Sequence, residues 1–559
     1  MTEAGVGPEV RAGAACDVLI IGGGINGCGL FRDLCEQGVN VLLVERGDFC
    51  SGASAAPSRL IHGGIKYLET GEFRLVAQSA RERNLLLRNA PHYVRPLETV
   101  LPVRSRFGGI VPSALRFFGL KAKLADRGAI ITRIGLLLYD LFGRQFRTMP
   151  NHRMLSGKRA RAELPGLDPA ISAVGLYYEA RITHAERLGL ELILEGEAAN
   201  PAARALNHAI VERDADGGLV LTDRIAGTRQ AITAGIIVNA GGAWIDAVNA
   251  TLGLTTRHMG GSKGSHLIVR NQPLHDALRG RMVYFGTADG RVNLLYPFMD
   301  QILIGSTDIP IADPDAAICE DQEIDYMLGV VGEVFPEAGL SRDQLVMTYC
   351  GVRPLPRSEG LDPGEVSRDH SIAEDPLPGA GTPILSLIGG KWTTFRGFAE
   401  EAADRVLARL QLSRVTSTER LAIGGGRDFP IDDTARRALA GQLSASFGLA
   451  EDAALRLLDR YGTRARALLQ AAGGPLQGLA CLPDYSRQEI AWICRAEKVR
   501  RLDDIVFRRT GLALSGRLTE AGLAEIAAIA AETLGWTAER MVEELDASHA
   551  SARRHHLTL

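Results

Sequence analysis

Four residues stand in settings that favour chemistry over packing: His62 in Ile-His-Gly-Gly, Arg353 in Gly-Val-Arg-Pro, Arg368 in Ser-Arg-Asp-His and Lys391 in Gly-Gly-Lys-Trp-Thr-Thr. An imidazole with an ordinary pKa near ~6.5 can exchange a proton around neutrality, so His62 reads as a base or hydroxyl-binding group. The plainer alternative is a histidine that hydrogen-bonds a cofactor or caps a turn; both place it at the same spot. Arg353 offers a planar guanidinium able to grip a phosphate through two parallel hydrogen bonds. Lys391 follows paired glycines and could neutralise negative charge on a bound group or bind phosphate. Thr393 and Thr394 follow where a helix N-terminus can face the same group. Arg368 is a further cation for the pocket, with an ion pair to Asp369 as its simpler fate. His266, Tyr67 and Lys66 are weaker candidates for the pocket lining.

These side chains need a scaffold, and the N-terminus supplies a recognisable one. Asp17 to Ile21 is a short apolar run, Gly22, Gly24 and Gly27 form G-x-G-x-x-G around Gly23 and Asn26, and Ile25 to Gln37 suits a helix. The first glycine permits a tight turn, the second lets backbone approach a pyrophosphate, and the third allows close helix–strand packing. Val39 to Val44 is a second strand ending at Glu45, whose carboxylate can accept hydrogen bonds from both ribose hydroxyls of an adenosine. Together these features form a dinucleotide cradle, which by itself does not separate NAD from FAD. Ser54, Ser58 and Gly63 follow it in the chain. Ser54 and Ser58 could offer hydroxyls to the cofactor. Later short apolar runs, Gly235 to Ala240 and Leu385 to Ile388, each lead into small residues. Ala240, Gly241 and Gly390 would let backbone pass close to the bound group.

At 559 residues the chain predicts two or three domains. Mixed strand and helix patterns run to about residue 410, a polar stretch with Gly424, Gly425 and Gly426 marks a boundary at 412–430, and three helical stretches follow (435–469, 487–506, 519–545). A net charge of −3 gives no global ground for nucleic-acid binding. The eight cysteines show no metal-ligand spacing, so no metal is expected and the thiols suit a reducing compartment. With no membrane-length apolar run and no apolar leader, the expected location is cytoplasmic. Two stretches could touch lipid: 107–123, basic and aromatic, and the apolar run 130–142. An apolar run that short is more often a buried helix, so the sequence favours core for 130–142.

The blocks Ile21–Gly27, Ser58-Arg59-Leu60-Ile61-His62-Gly63-Gly64-Ile65-Lys66-Tyr67-Leu68-Glu69, Lys263–His266, Gly305-Ser306-Thr307-Asp308, Gly351–Leu355, Ser367–His370 and Gly389–Arg396 occur in order. In this combination the chain resembles the FAD-dependent glycerol-3-phosphate dehydrogenases, bacterial respiratory and mitochondrial. Arg500–Asp504 and Arg508–Thr510 resemble, more loosely, a stretch of that family's cap domain. The resemblance implies an α/β fold: a doubly wound, Rossmann-like FAD domain (segments near 15–70, 185–250 and 350–400), interleaved with an antiparallel-sheet substrate domain in a body spanning 15–410. A helical C-terminal cap over 428–550 completes it. It implies oxidation of sn-glycerol 3-phosphate to dihydroxyacetone phosphate, hydride passing to flavin N5 and electrons to a quinone. It also implies peripheral contact with the inner face of the cytoplasmic membrane. Homo-oligomers are compatible with it. Some positions depart from the family pattern. Arg59 stands where the family has Lys, Lys66 where it has Arg, and Ala53 where it has Thr. Thr183–Leu188 replaces an Asp-Asp-Ala-Arg-Leu segment, and Ala240–Trp244 replaces Ala-Thr-Gly-Pro-Trp. Two alternatives follow from these departures: a dehydrogenase of another polyol phosphate such as erythritol phosphate, and a flavin-binding regulatory or scaffold protein without turnover.

Overall fold

The computed structural model describes residues 14–68, 71–105, 128–144, 148–287, 291–358 and 368–559. Strand β1 (Ala14–Ile21), helix α1 (Ile25–Glu36) and strand β2 (Val41–Val44) open the chain. Val18, Leu19 and Ile20 are fully buried in β1, as expected for a strand covered on both faces of a parallel sheet. In that sheet β1 lies between β2 and the Arg229–Asn239 strand, with Arg204–Leu206 outside β2 and Pro383–Gly389 beyond Arg229–Asn239, all parallel. His370–Pro376 closes one edge antiparallel. Three distant stretches of chain thus build one doubly wound sheet.

Helix α1 packs against the Ala185–Ala199 and Phe395–Arg409 helices. Close approach rests on small residues at the crossings: a Cβ on Gly29 would lie 2.8 Å from the Phe395 ring, and one on Gly196 2.7 Å from Phe31. The second sheet has ten strands and is almost wholly antiparallel, with Ala173–Ile182 beside Val94–Val103 near one end and Ser262–Val269 beside Leu345–Arg353 near the other.

Beyond residue 430 the chain is helical: Asp433–Phe447, Glu451–Tyr461, Ala465–Ala472, Arg487–Ala496, Glu520–Leu534 and Ala538–Arg554. These helices share one apolar core with the face of the second sheet carrying Ile268, Tyr296, Phe298 and Met347. Polar locks fix the cap to the cofactor side. Arg187 forks onto Glu497 at 2.8 and 2.6 Å, and Asp48 accepts from Arg508 Nε at 2.5 Å and from both Arg509 terminal nitrogens at 2.5 and 2.9 Å. The 412–430 stretch is not a loose connector. Gly425 and Gly426 are buried, and a Cβ on Gly425 would lie 2.0 Å from the Tyr461 carbonyl oxygen.

The apolar run 130–142 departs from its expected place in the core. It forms the Ala129–Phe142 helix, which buries Thr132, Leu136 and Tyr139 yet leaves Ile130, Ile134, Leu137, Leu138 and Leu141 exposed. With apolar residues on both its buried and its exposed side, the run does not tell from sequence which side is covered. The 107–123 stretch lies outside the described residues. No helix of the described residues is long and apolar enough to cross a membrane.

Candidate active site

The cradle lies where β1 hands the chain to α1. Gly22 has φ +112°, and a Cβ there would sit 2.6 Å from the Ala240 carbonyl oxygen; one on Gly27 would sit 2.0 Å from the Gly22 carbonyl oxygen. Both positions therefore need glycine. Gly24 caps α1 and lines a cavity of about 2490 Å³ that runs past Glu45, Ala240 and Gly241 to His62, Arg353, Arg368, Lys391 and Thr393. The N-terminus of α1 turns its positive dipole end toward this space. Glu45 Oε2 accepts the Gly23 N–H and Oε1 the Gly47 N–H, both at 2.7 Å. Burial pushes its carboxyl above the usual range despite these bonds. Each oxygen keeps a second lone pair for a hydroxyl donor.

The residues present fit a flavin dinucleotide. Asn26 Oδ1 is buried without a protein partner in the cavity wall, a polar atom that a bound cofactor can satisfy. Gly390, at φ +89°, brings its backbone against Asn26 and Phe398. The two serines serve protein groups. Ser54 Oγ accepts the Ile25 N–H at 2.9 Å, and Ser58 Oγ pairs with His266 Nε2 at 2.8 Å. Both serines line the cavity, and Ser54, which only accepts in this contact, keeps its hydroxyl hydrogen for a further acceptor.

The four chemical residues converge. His62 faces the cavity, and its N–H donates to Thr393 Oγ1 at 3.1 Å. Its imidazole is not ordinary. Desolvation, with Lys391, Arg368 and Arg83 nearby, brings its pKa down to about 3, so it is neutral at physiological pH. Lys391 Nζ donates to Ser79 Oγ at 2.6 Å and sits 4.5 Å from the Tyr67 ring centroid. Burial, reinforced by Arg368, lowers its pKa to about 7.

Arg353 ends the Leu345–Arg353 strand. Its guanidinium donates to Asp308 Oδ1 at 3.1 Å, Ser306 Oγ at 3.0 Å and the Thr307 carbonyl at 2.9 Å. Gly264 gives it room, since a Cβ there would approach Nη2 to 2.2 Å. Burial and Arg368 lower its pKa to about 10, which leaves it charged. Arg368 Nη2 lies 3.9 Å from Asp308 Oδ2, so one carboxylate sits between two arginines. His266 is buried, stacks 4.9 Å from Tyr349 and is held neutral by burial. The Lys66 side chain and Glu69 lie outside the described residues.

Among the described residues, one His/Asp trio is close enough to hold a cation: Asp48, His208 and Asp504. Arg508 and Arg509 already neutralise both carboxylates, which gives the trio an ion-pair role in docking the cap. Asp308, Glu179, Tyr139 and Tyr284 were not assigned from sequence. Asp308 stands within the Gly-Ser-Thr-Asp block, and Glu179 is the one acid of a strand whose other charged residue is Arg181, which is the signal that could have found it. Nothing local marks Tyr139 or Tyr284.

The profile of the family described as FAD dependent oxidoreductase matches residues 17–395, and that described as the C-terminal domain of alpha-glycerophosphate oxidase matches 416–541. A glycerol-3-phosphate dehydrogenase of Synechocystis sp. is 32% identical over 573 residues, covering 97% of this chain and 97% of its own. This chain belongs to the FAD-dependent glycerol-3-phosphate dehydrogenase family. A second member, from Pseudomonas tolaasii, is 32% identical over 510 residues, covering 89% of this chain and 92% of its own. The X-ray structure of glycerol-3-phosphate dehydrogenase from Bacillus halodurans, complexed with FAD, matches with a TM-score of 0.74 at 25% identity, over 97% of this chain and 95% of that one. As a member of this family the chain is an oxidoreductase whose cofactor is FAD, and the glycine cradle is the part of the fold that suits it.

Proposed function

We propose that this glycerol-3-phosphate dehydrogenase family member oxidises sn-glycerol 3-phosphate at C2 to dihydroxyacetone phosphate and passes the electrons to a quinone. The observation that carries this reading is the grouping of three cations, Arg353, Arg368 and Lys391, with a neutral imidazole in one cavity continuous with the dinucleotide cradle. FAD, when bound, supplies the hydride acceptor at flavin N5.

The protein's own residues do the rest. Arg353 and Arg368 bind the phosphate, and Asp308 holds Arg353 in place before substrate arrives. His62 accepts the C2 hydroxyl proton as the C2 hydride leaves. A doubly charged phosphate offsets the cations that depress the imidazole, so substrate entry raises the His62 pKa toward neutrality. Lys391 balances the negative charge that reduction brings into the site.

The exposed stripe Ile130, Ile134, Leu137 and Leu141 follows helical spacing along one face. It supports a place at the surface of a bilayer, where a quinone is available.

The test is anaerobic reduction of the bound flavin by a panel of polyols. Glycerol 3-phosphate should bleach the flavin absorbance at the lowest concentration. Equal bleaching by free glycerol would remove the phosphate clamp, and faster bleaching by a longer polyol phosphate would reassign the substrate. Protein that holds FAD yet is reduced by none of the panel would be a binding protein without turnover.

A further inference from the structure

The Ala173–Ile182 strand places one carboxylate, Glu179, behind the turn that carries His62. Three donors converge on it. The Gly63 N–H reaches Oε2 at 3.0 Å, Arg83 Nη1 reaches Oε2 at 2.9 Å, and the Tyr139 hydroxyl reaches Oε1 at 2.5 Å. Arg83 also donates to the Tyr139 hydroxyl oxygen at 2.7 Å, which closes the triangle. Glu179, Arg83 and Tyr139 are all buried.

The turn is thereby held from two sides. The His62 backbone N–H goes to Thr393, near Lys391, and the Gly63 N–H goes to Glu179 on the Ala173–Ile182 strand, which pairs with Leu60–Ile61 just before the turn. Tyr139 also closes sterically on the turn, since a Cβ on Gly63 would lie 2.2 Å from its hydroxyl oxygen. Position 63 is glycine because the phenol occupies that space. Glu179 itself lines the cavity.

A purely structural ion pair between Arg83 and Glu179 would not need the Gly63 amide. Nor would it need a tyrosine brought from the peripheral Ala129–Phe142 helix. We propose that Glu179, oriented by Arg83 and Tyr139, is a positioning residue that fixes the His62–Gly63 turn in register with the flavin and the substrate hydroxyl. This rests on the role given to His62 above. Glu179 also supplies negative charge to the Lys391 environment, where Arg368 opposes it and Glu72 and Asp369 act with it, while Tyr67 and Ser79 touch the ammonium.

The experiment uses the FAD-loaded full chain with glycerol 3-phosphate and a soluble artificial acceptor. Glu179→Gln keeps the shape and an acceptor for Gly63 but removes the charge and weakens the Arg83 contact. It should lower kcat by about tenfold to a hundredfold, the scale for a reacting group displaced by about 1 Å, with KM changed far less. The flavin midpoint potential should fall as negative charge is lost from beside Lys391, because the lysine then gives up its proton more readily. For the same reason the alkaline limb of the kcat–pH profile should move to lower pH. Tyr139→Phe should lower kcat in the same sense without moving that limb, because no charge is removed.

Wild-type kcat, potential and pH limb in Glu179→Gln would overturn the proposal. If that variant fails to retain FAD, wild-type kcat in Tyr139→Phe would do so. Wild-type protein that glycerol 3-phosphate does not reduce would sink the substrate assignment instead, so the two failures are distinguishable.

Discussion

Arg59 and Glu186 face each other as a buried two-point ion pair, Nη1 to Oε2 at 3.0 Å and Nη2 to Oε1 at 2.5 Å. Arg59 follows Ser58 in the chain just before the Leu60–Ile61 strand, and Glu186 stands near the start of the Ala185–Ala199 helix. The two charges compensate each other. A forked cation meets a carboxylate carried on the first turn of the Ala185–Ala199 helix. The pair lies behind the cavity, whose wall carries Arg353, Arg368 and Lys391.

Glu186→Ala should destabilise the protein by about 3–5 kcal/mol, because Arg59, almost fully buried, would keep its charge without a partner. The double variant Arg59→Met, Glu186→Leu should recover much of that loss, since the charge goes with its partner. Urea unfolding of the three proteins checks this. A double variant no more stable than the single one would mean that the pair is needed for something other than charge balance.

Arg353→Ala should raise KM for glycerol 3-phosphate while the flavin stays bound. Losing a charge-assisted contact to phosphate costs about 2–3 kcal/mol, roughly a 30-fold to 160-fold change in KM. Steady-state kinetics beside the visible flavin spectrum measures both. Unchanged KM would take Arg353 out of the substrate pocket and leave its bonds to Asp308 and Ser306 as its whole role.

Stability should fall as the solution is acidified from about 6.5 toward 3, in part through His266. Burial, with Arg353 and Arg59 nearby, lowers its folded pKa to about 3, while the unfolded chain takes up the proton near ~6.5. The unfolded state binds more protons across that window, so this contribution is present above ~6.5 and is lost progressively below it. His266→Gln, which keeps a hydrogen-bonding group for Ser58, should lose less stability between pH 7 and pH 4.5 than the wild type. Parallel losses in urea midpoints would show that His266 titrates as an ordinary imidazole.

What was legible in the sequence was local or carried by motifs. The strand–glycine–helix–strand opening is specified by contacts within thirty or so residues, so β1, α1 and β2 fall close to where the apolar runs put them. The glycine-flanked cations were legible for a similar reason. Glycine beside a charged residue marks close backbone approach, and Gly389 and Gly390 serve that purpose before Lys391, whereas the room that Gly264 leaves for Arg353 appears only in the fold. What was not legible depends on partners far along the chain. His62 has an ordinary pKa in the sequence and a strongly lowered one in the fold, because Lys391, Arg368 and Arg83 meet there only after folding. The bonds of Ser54 to Ile25 and of Ser58 to His266 join residues 29 and 208 positions apart, which spacing does not announce. Glu179 and Tyr139 sit 116 and 76 residues from Gly63, a separation over which spacing carries no information.

The helix bearing Tyr139 gives the remaining prediction. Its stripe of Ile130, Ile134, Leu137 and Leu141 is 45%, 54%, 54% and 50% exposed, more apolar surface than a soluble helix ordinarily leaves in water. Sinking such a face into a bilayer interface regains part of the 1.5–3 kcal/mol that full burial of a leucine or isoleucine is worth. Ile134→Glu with Leu137→Glu should therefore weaken cosedimentation with mixed phosphatidylethanolamine–phosphatidylglycerol vesicles by roughly tenfold or more. Anaerobic reduction of the flavin by glycerol 3-phosphate in solution should persist, because both side chains point away from the Tyr139–Glu179 contact. Turnover with a quinone embedded in the vesicles should fall with the loss of binding. If the double variant cosediments like the wild type, the stripe is covered by something other than lipid, and the quinone must reach the flavin by another face.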